Sequence, residues 1–241
     1  MVLSKFKDFS NKKLRPFAKK IGLTPNKVTI IGFCFSILAL VLLLLGQYLP
    51  IYINMASFVE YFQSNMLFFA GLSVILSGVF DALDGVIARE RGLVSKFGAF
   101  FDSVLDRYSD SLVLLGIIIM DGLCDPLLGI LALIGCLIVS YTRARAESEG
   151  SREMAAVGIA ERAERMLILS FSMMIQGGFW GLHLIGITNF IVEWIANWFL
   201  YIITIPLLVV LTHFTVLQRI RFAFASLKPD EKEKNESEKE D

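Results

Sequence analysis

The chain of 241 residues is 55% hydrophobic and 19% charged, with a mean hydropathy of +0.64, a balance too apolar for a soluble globular domain. Its 23 Lys and Arg match its 23 Asp and Glu, so bulk charge points neither to nucleic acid nor to an acidic substrate, and the positions of the charges carry the information. Cys34, Cys124 and Cys136 lie in apolar runs without paired spacing or His company, which speaks against a disulfide framework or a zinc site and reads as three small buried hydrophobes.

Residues 4–20, SKFKDFSNKKLRPFAKK, interleave Phe6, Phe9, Leu14 and Phe17 with basic side chains. That pattern fits a helix lying in the membrane interface against anionic headgroups, and residues 1–27 are read as a cytoplasmic, juxtamembrane amphipathic segment. The first long apolar stretch begins at Val28, and no small-residue cleavage site follows it, so no cleavable signal is expected. From Val28 to Val59 there is no charge, and Val28 to Gly46 is long enough to cross about 30 Å of hydrocarbon as a helix. Similar spans read at about 65–84, 99–120, 125–142, 163–180 and 194–217, with Gly85 to Gly98 taken as a connection. The expected fold is therefore an all-α integral membrane protein, with six transmembrane helices in one domain over residues 28–226. Residues 227–241, polar and acidic, are expected to form a disordered cytoplasmic tail.

Every basic residue falls at or near the same set of alternate ends. The segment to Lys27, the Gly85–Gly98 stretch, Arg143 to Arg165 and the tail from Arg219 hold all of them but Arg107, while 49–63, 121–125 and 181–193 hold none. By the positive-inside rule that face, with both termini, is cytoplasmic, and the protein is placed in the cell (plasma) membrane as a multi-pass protein. Trp180, Trp194 and Trp198 fall near the opposite ends, as an aromatic belt does.

The third span carries Asp102, Asp106, Arg107 and Asp110, although each ionisable side chain within a span costs roughly 2.5–3.5 kcal/mol on insertion scales. Asp102, Asp106 and Asp110 recur every four residues and so line one helix face, and Asp81 and Asp84 share a face at the end of the second span. Crowded carboxylates are tolerable when cations neutralise them, and with no soft ligand present those cations are Mg²⁺ or Mn²⁺. Such a centre completes its shell with phosphate and water, which favours phosphoryl transfer. An ion-coupled carrier also uses intramembrane Asp, but there the acids sit near the midplane at broken helices of inverted repeats, and this chain shows no such repeat.

The segment from Asp81 to Asp106, DALDGVIARERGLVSKFGAFFDSVLD, resembles the signature of the CDP-alcohol phosphotransferase family without a gap. The matching positions are Asp81, Asp84, Gly85, Ala88, Arg89, Gly98, Asp102 and Asp106, and the layout of an interfacial helix followed by six spans is similar too. The resemblance implies that Asp81, Asp84 and Asp102 hold one metal ion, and that Asp81, Asp102 and Asp106 hold a second. The two Mg²⁺ or Mn²⁺ ions would clamp the pyrophosphate of a CDP-lipid, either CDP-diacylglycerol or CDP-archaeol. It further implies that Asp106 is the general base, that Asp84, Gly85, Ala88, Arg89 and Gly98 bind the CDP-lipid, and that the protein is a homodimer.

Family members differ in the acceptor alcohol. SYTRARAE at 140–147 and ERAER at 161–165 bring in Arg143, Arg145, Arg162 and Arg165. Guanidinium groups bind phosphate bidentately, which favours inositol phosphate as acceptor and is similar to the phosphatidylinositol phosphate and archaetidylinositol phosphate synthases of the family, where Lys commonly stands in place of Arg143. Glycerol 3-phosphate, serine or inositol are the alternative acceptors, and arginines that only fix topology are the alternative reading of the cluster.

Overall fold

Proline at the first helical position forfeits no hydrogen bond and brings its φ already set, and Pro25 opens the first helix, α1 (Pro25–Tyr48). The computed structural model describes residues 22–49, 56–151, 154, 157–159, 161–187 and 189–227. The interfacial segment expected before Gly22, and the tail expected after Leu227, lie outside the described residues. Among the described residues the regular elements are all helical: α2 (Ala56–Glu90), α3 (Lys96–Ile119), α4 (Pro126–Ser148), α5 (Arg162–Leu184), α6 (Phe190–Trp198) and α7 (Ile205–Ser226) follow α1. A π-helical segment, Phe199–Thr204, joins α6 to α7.

Among the described residues, five stretches are long and apolar enough to cross a membrane: Pro25–Tyr48, Phe58–Glu90, Pro126–Ser148, Arg162–Leu184 and Phe190–Ser226. Helix α3 is equally long at 24 residues but carries the four charged side chains already singled out, and it packs between α1 and α4. The local start signals are side chains that satisfy the orphan N–H groups of a helix end. Ser95 accepts from Gly98 N at 3.0 Å at the head of α3, and Asp125 accepts from Leu128 N at 3.1 Å at the head of α4. Glu161 and Glu164 form a reciprocal capping box on α5.

One boundary differs from expectation. The connection read between Gly85 and Gly98 is mostly helix: α2 continues through Gly85 to Glu90 and only residues 91–95 lie outside a helix. A helical Gly costs only about 1 kcal/mol against Ala, which the surrounding packing overrides. The actual stop is Gly92, at φ +65°, with Leu93 N donating to Ala88 O at 2.8 Å and Gly92 N to Arg89 O at 3.4 Å, the paired closure that favours glycine at this position. The short link holds the ends of α2 and α3 side by side.

Leu43, Leu67, Ala70, Val113, Leu114, Ile117, Met173 and Leu200 are among the buried side chains at the centre of the bundle. Hydroxyl and amide groups bridge helices there: Ser36 and Ser77 lie 2.8 Å apart, Thr204 donates to Ser172 at 2.9 Å, and Leu200 N in the π-helical segment donates to Gln176 Oε1 at 2.7 Å. Helices α2 and α5 touch through glycine, as closely packed membrane helices do. A Cβ on Gly177 would stand 2.8 Å from both Ser64 O and Phe68 N, main-chain atoms that cannot turn aside. Gly177→Ala should therefore lower stability by about 1–3 kcal/mol in thermal unfolding of the detergent-purified protein. Gly178→Ala, where the nearest atom is Phe68 Cδ2 at 4.0 Å, should not.

Candidate active site

Alternating helix directions bring the start of α1, the end of α2, the start of α3, the end of α4, the start of α5 and the end of α7 to one end of the bundle, where the chemistry collects. From the last turns of α2 and the first turns of α3, Asp81, Asp102 and Asp106 each offer a carboxylate oxygen, all within 4.8 Å of one another. Asp84 does not join that group. It is buried and accepts from Thr29 Oγ1 of α1 at 2.5 Å, a hydrogen bond that ties it to α1.

Arg162, at the start of α5, reaches across this cluster. Its Nη1 lies 3.1 Å from Asp81 Oδ2 and 2.8 Å from Asp106 Oδ1, and its Nε donates to Asp110 Oδ1 at 3.0 Å. Arg165, one turn on and buried, places Nη2 3.5 Å from Asp110 Oδ2. Arg107 Nη1 stands 3.7 Å from Asp106 Oδ2 and donates to Ser103 O.

The small residues of the α2–α3 signature border the same end. The guanidinium of Arg89 lies across Gly85, so that a Cβ there would meet Nη1 at 3.3 Å. Ala88 is half-buried one turn further along. A Cβ on Gly98 would stand 3.0 Å from Ser95 Oγ and 3.4 Å from Asn26 Oδ1, so a side chain there would crowd the hydroxyl that caps the start of α3.

A cavity of about 540 Å³ opens beside the cluster, lined by Asp81, Asp102 and Asp106 together with Arg107, Arg143, Arg162, Arg165 and Arg219, with Glu147 and Glu161 among the arginines. Arg143 also pairs with Glu147 at 3.0 Å. Arg145 lies apart: its side chain is 61% exposed and paired with Glu149, and it does not line the cavity. Thr29, Asp110 and Arg219 are site residues to which the sequence reading assigned no role. Arg219, buried, donates through Nε to Val157 O at 2.9 Å and through Nη1 to Val139 O. Its signal in the sequence was a basic residue at the end of an apolar span, where each such charge needs a reason.

The carboxylate group fits a divalent cation. Its donors are all oxygen, as hard cations require, and Asp102 Oδ1 is buried without a hydrogen-bond partner, a condition that costs free energy unless something binds it.

The chain is similar to known proteins in sequence and in fold. The family model described as CDP-alcohol phosphatidyltransferase matches residues 22–209. An archaetidylinositol phosphate synthase of Pyrococcus horikoshii is 38% identical over 79% of this chain and 92% of its own length. A phosphatidylinositol phosphate synthase of Mycobacteroides abscessus is 35% identical over 68% of this chain and 69% of its own. Crystal structures of the Mycobacterium tuberculosis phosphatidylinositol phosphate synthase, one with CDP-DAG bound and one in complex with manganese and citrate, both superpose with a TM-score of 0.65 at 27% identity. They cover 88% of this chain and 94% and 90% of theirs. By sequence, fold and the carboxylate cluster together, the chain belongs to the CDP-alcohol phosphatidyltransferase family and is a membrane transferase of phospholipid synthesis.

Proposed function

We propose that the enzyme transfers the phosphatidyl-type or archaetidyl group of a CDP-lipid to a hydroxyl of inositol phosphate and releases CMP. The observation that carries this reading is one cavity lined both by the carboxylates of Asp81, Asp102 and Asp106 and by the guanidinium groups of Arg143, Arg162 and Arg165, which offers room for a cation-held pyrophosphate and a second phosphate together. The names of the relatives support it, as does the CDP-DAG in the mycobacterial neighbour.

Asp81, Asp84 and Asp102 would hold one divalent ion and Asp81, Asp102 and Asp106 a second, Mg²⁺ or Mn²⁺ in each case. When bound, the ions supply the positive charge that neutralises the pyrophosphate and the leaving phosphate. Arg89 and the bare backbone at Gly85, with Ala88 and Gly98, receive the cytidine nucleotide. Asp106 accepts the proton of the acceptor hydroxyl while its oxygen attacks the lipid-bearing phosphorus and the bond to CMP breaks. Arg143, Arg162 and Arg165 hold the acceptor phosphate, and Arg145, outside the cavity, takes no part. The site end of the bundle faces the cytoplasm, consistent with the collection of basic residues there, in a plasma-membrane homodimer.

The arginines test the acceptor. Lysine keeps the charge, and with it the topology, but gives up the bidentate fork. Arg143→Lys and Arg165→Lys should each raise the KM for inositol phosphate several-fold in a CMP-release assay, with the KM for CDP-lipid little changed. Arg145→Lys should match wild type. Free inositol, lacking several charge-assisted hydrogen bonds of roughly 1.5–3 kcal/mol each, should be a poor acceptor. Glycerol 3-phosphate, serine or free inositol reacting as well as inositol phosphate would overturn the assignment.

A further inference from the structure

Arg162 stands in a closer relation to the carboxylates than the other arginines of the cavity. One nitrogen, Nη1, contacts Asp81 of α2 and Asp106 of α3, two of the three acids that define the cluster, while Nε is tied to Asp110 one turn deeper. A single guanidinium thus joins α2, α3 and α5. Carboxylates crowded into a poorly hydrated site repel one another unless a positive charge lies among them. Without a divalent ion, such acids either take up protons or share a positive charge from the chain, and Arg162 places one among them. The five N–H donors of arginine, set in a rigid fork, can serve three carboxylates at once, which a lysine ammonium on its flexible stem does poorly. A dication drawing on Asp81 and Asp106 competes for the same oxygens and repels the guanidinium.

We propose that Arg162 is the resident cation of the metal-free enzyme, holding Asp81 and Asp106 together until a divalent ion takes them, and that metal loading releases it while Nε stays on Asp110. The released Nη groups then belong to the cavity wall shared with Arg143 and Arg165, so the acceptor-phosphate pocket is complete only after the metal is in place, and the ion binds before the acceptor. This rests on the reading of Asp81 and Asp106 as metal ligands.

The test is a Mn²⁺ titration of detergent-purified, metal-stripped protein with no lipid or acceptor present. R162Q should bind Mn²⁺ at least threefold more tightly than wild type, because nothing has to be displaced. Its metal-free Tm should be lower, and the rise in Tm on adding Mn²⁺ larger. Arg107 approaches Asp106 without bridging, so R107Q should tighten Mn²⁺ binding less than R162Q does. Equal tightening in the two variants, or binding by R162Q no tighter than wild type, overturns the proposal. D102N separates this from the underlying reading: if Mn²⁺ binds wild type and D102N alike, the aspartates are not the metal site and the proposal falls with that assignment. Should R162Q fail to survive metal stripping, wild type decides. Modification of Arg162 by phenylglyoxal, mapped by mass spectrometry, should speed up several-fold on adding Mn²⁺, and an unchanged or slower rate overturns the proposal.

Discussion

Asp106→Asn should lower kcat by about 10²- to 10⁴-fold, the range seen when a general acid or base is removed, while the variant keeps much of its capacity to bind CDP-lipid. The amide is nearly isosteric with the carboxylate and can still offer one oxygen to a cation or to Arg162, but it cannot take a proton from the acceptor hydroxyl. Asp81→Asn and Asp102→Asn should behave differently. Each removes a ligand assigned to both ions, so binding of metal and of CDP-lipid should fall together with turnover. The comparison is made by measuring CMP release and CDP-lipid binding on the same preparations. If Asp106→Asn kept more than about a tenth of wild-type kcat, the proton would be going elsewhere.

Exhaustive chelation should stop the reaction, and Mg²⁺ or Mn²⁺ should restore it. The cluster presents oxygen donors only, with Asp102 Oδ1 buried and awaiting a partner. Ca²⁺ should bind but support less turnover, since bonds of about 2.3–2.6 Å and loose coordination spread the attacking and leaving oxygens relative to the tight octahedron of Mg²⁺. Zn²⁺, which prefers nitrogen and sulfur ligands in a tetrahedron, should be a poor replacement. Full activity after chelation, followed by metal analysis showing none bound, would remove the ions from the mechanism.

The carboxylates were legible in the sequence because the cost of placing charge in a span makes each one conspicuous and because a four-residue repeat fixes a helix face. Asp102 and Asp106 do meet Asp81 across the short link, and Asp110 on the same face is tied to Asp81 through Arg162. The partners of those acids were not legible. Thr29, a small hydroxyl residue in the first turn of an apolar span, gives no sign that it will donate to Asp84 more than fifty residues away. Arg162 could be read as a basic residue at a helix start and a candidate phosphate ligand. That it reaches α2 and α3 depends on α5 packing beside α2 through Gly71 and Gly177, a register set by close approach of backbones rather than by any local pattern. The limits of α2 were misplaced for a related reason: glycine weakens a helix locally, but packing decides whether the helix stops.

Thr29, the aspartates, the arginines of α4 and α5 and Arg219 all lie within a few turns of the same end of the bundle, while the opposite ends carry caps and small clasps such as that between Gln47 and Asp121. The reaction is therefore one-sided. A lipid that has just received its alcohol headgroup is released into the leaflet from which its donor came, and a charged phosphodiester headgroup does not cross about 30 Å of hydrocarbon unaided. Each turnover adds to the compositional asymmetry of the membrane, and any appearance of the product in the other leaflet requires a separate catalyst of lipid translocation.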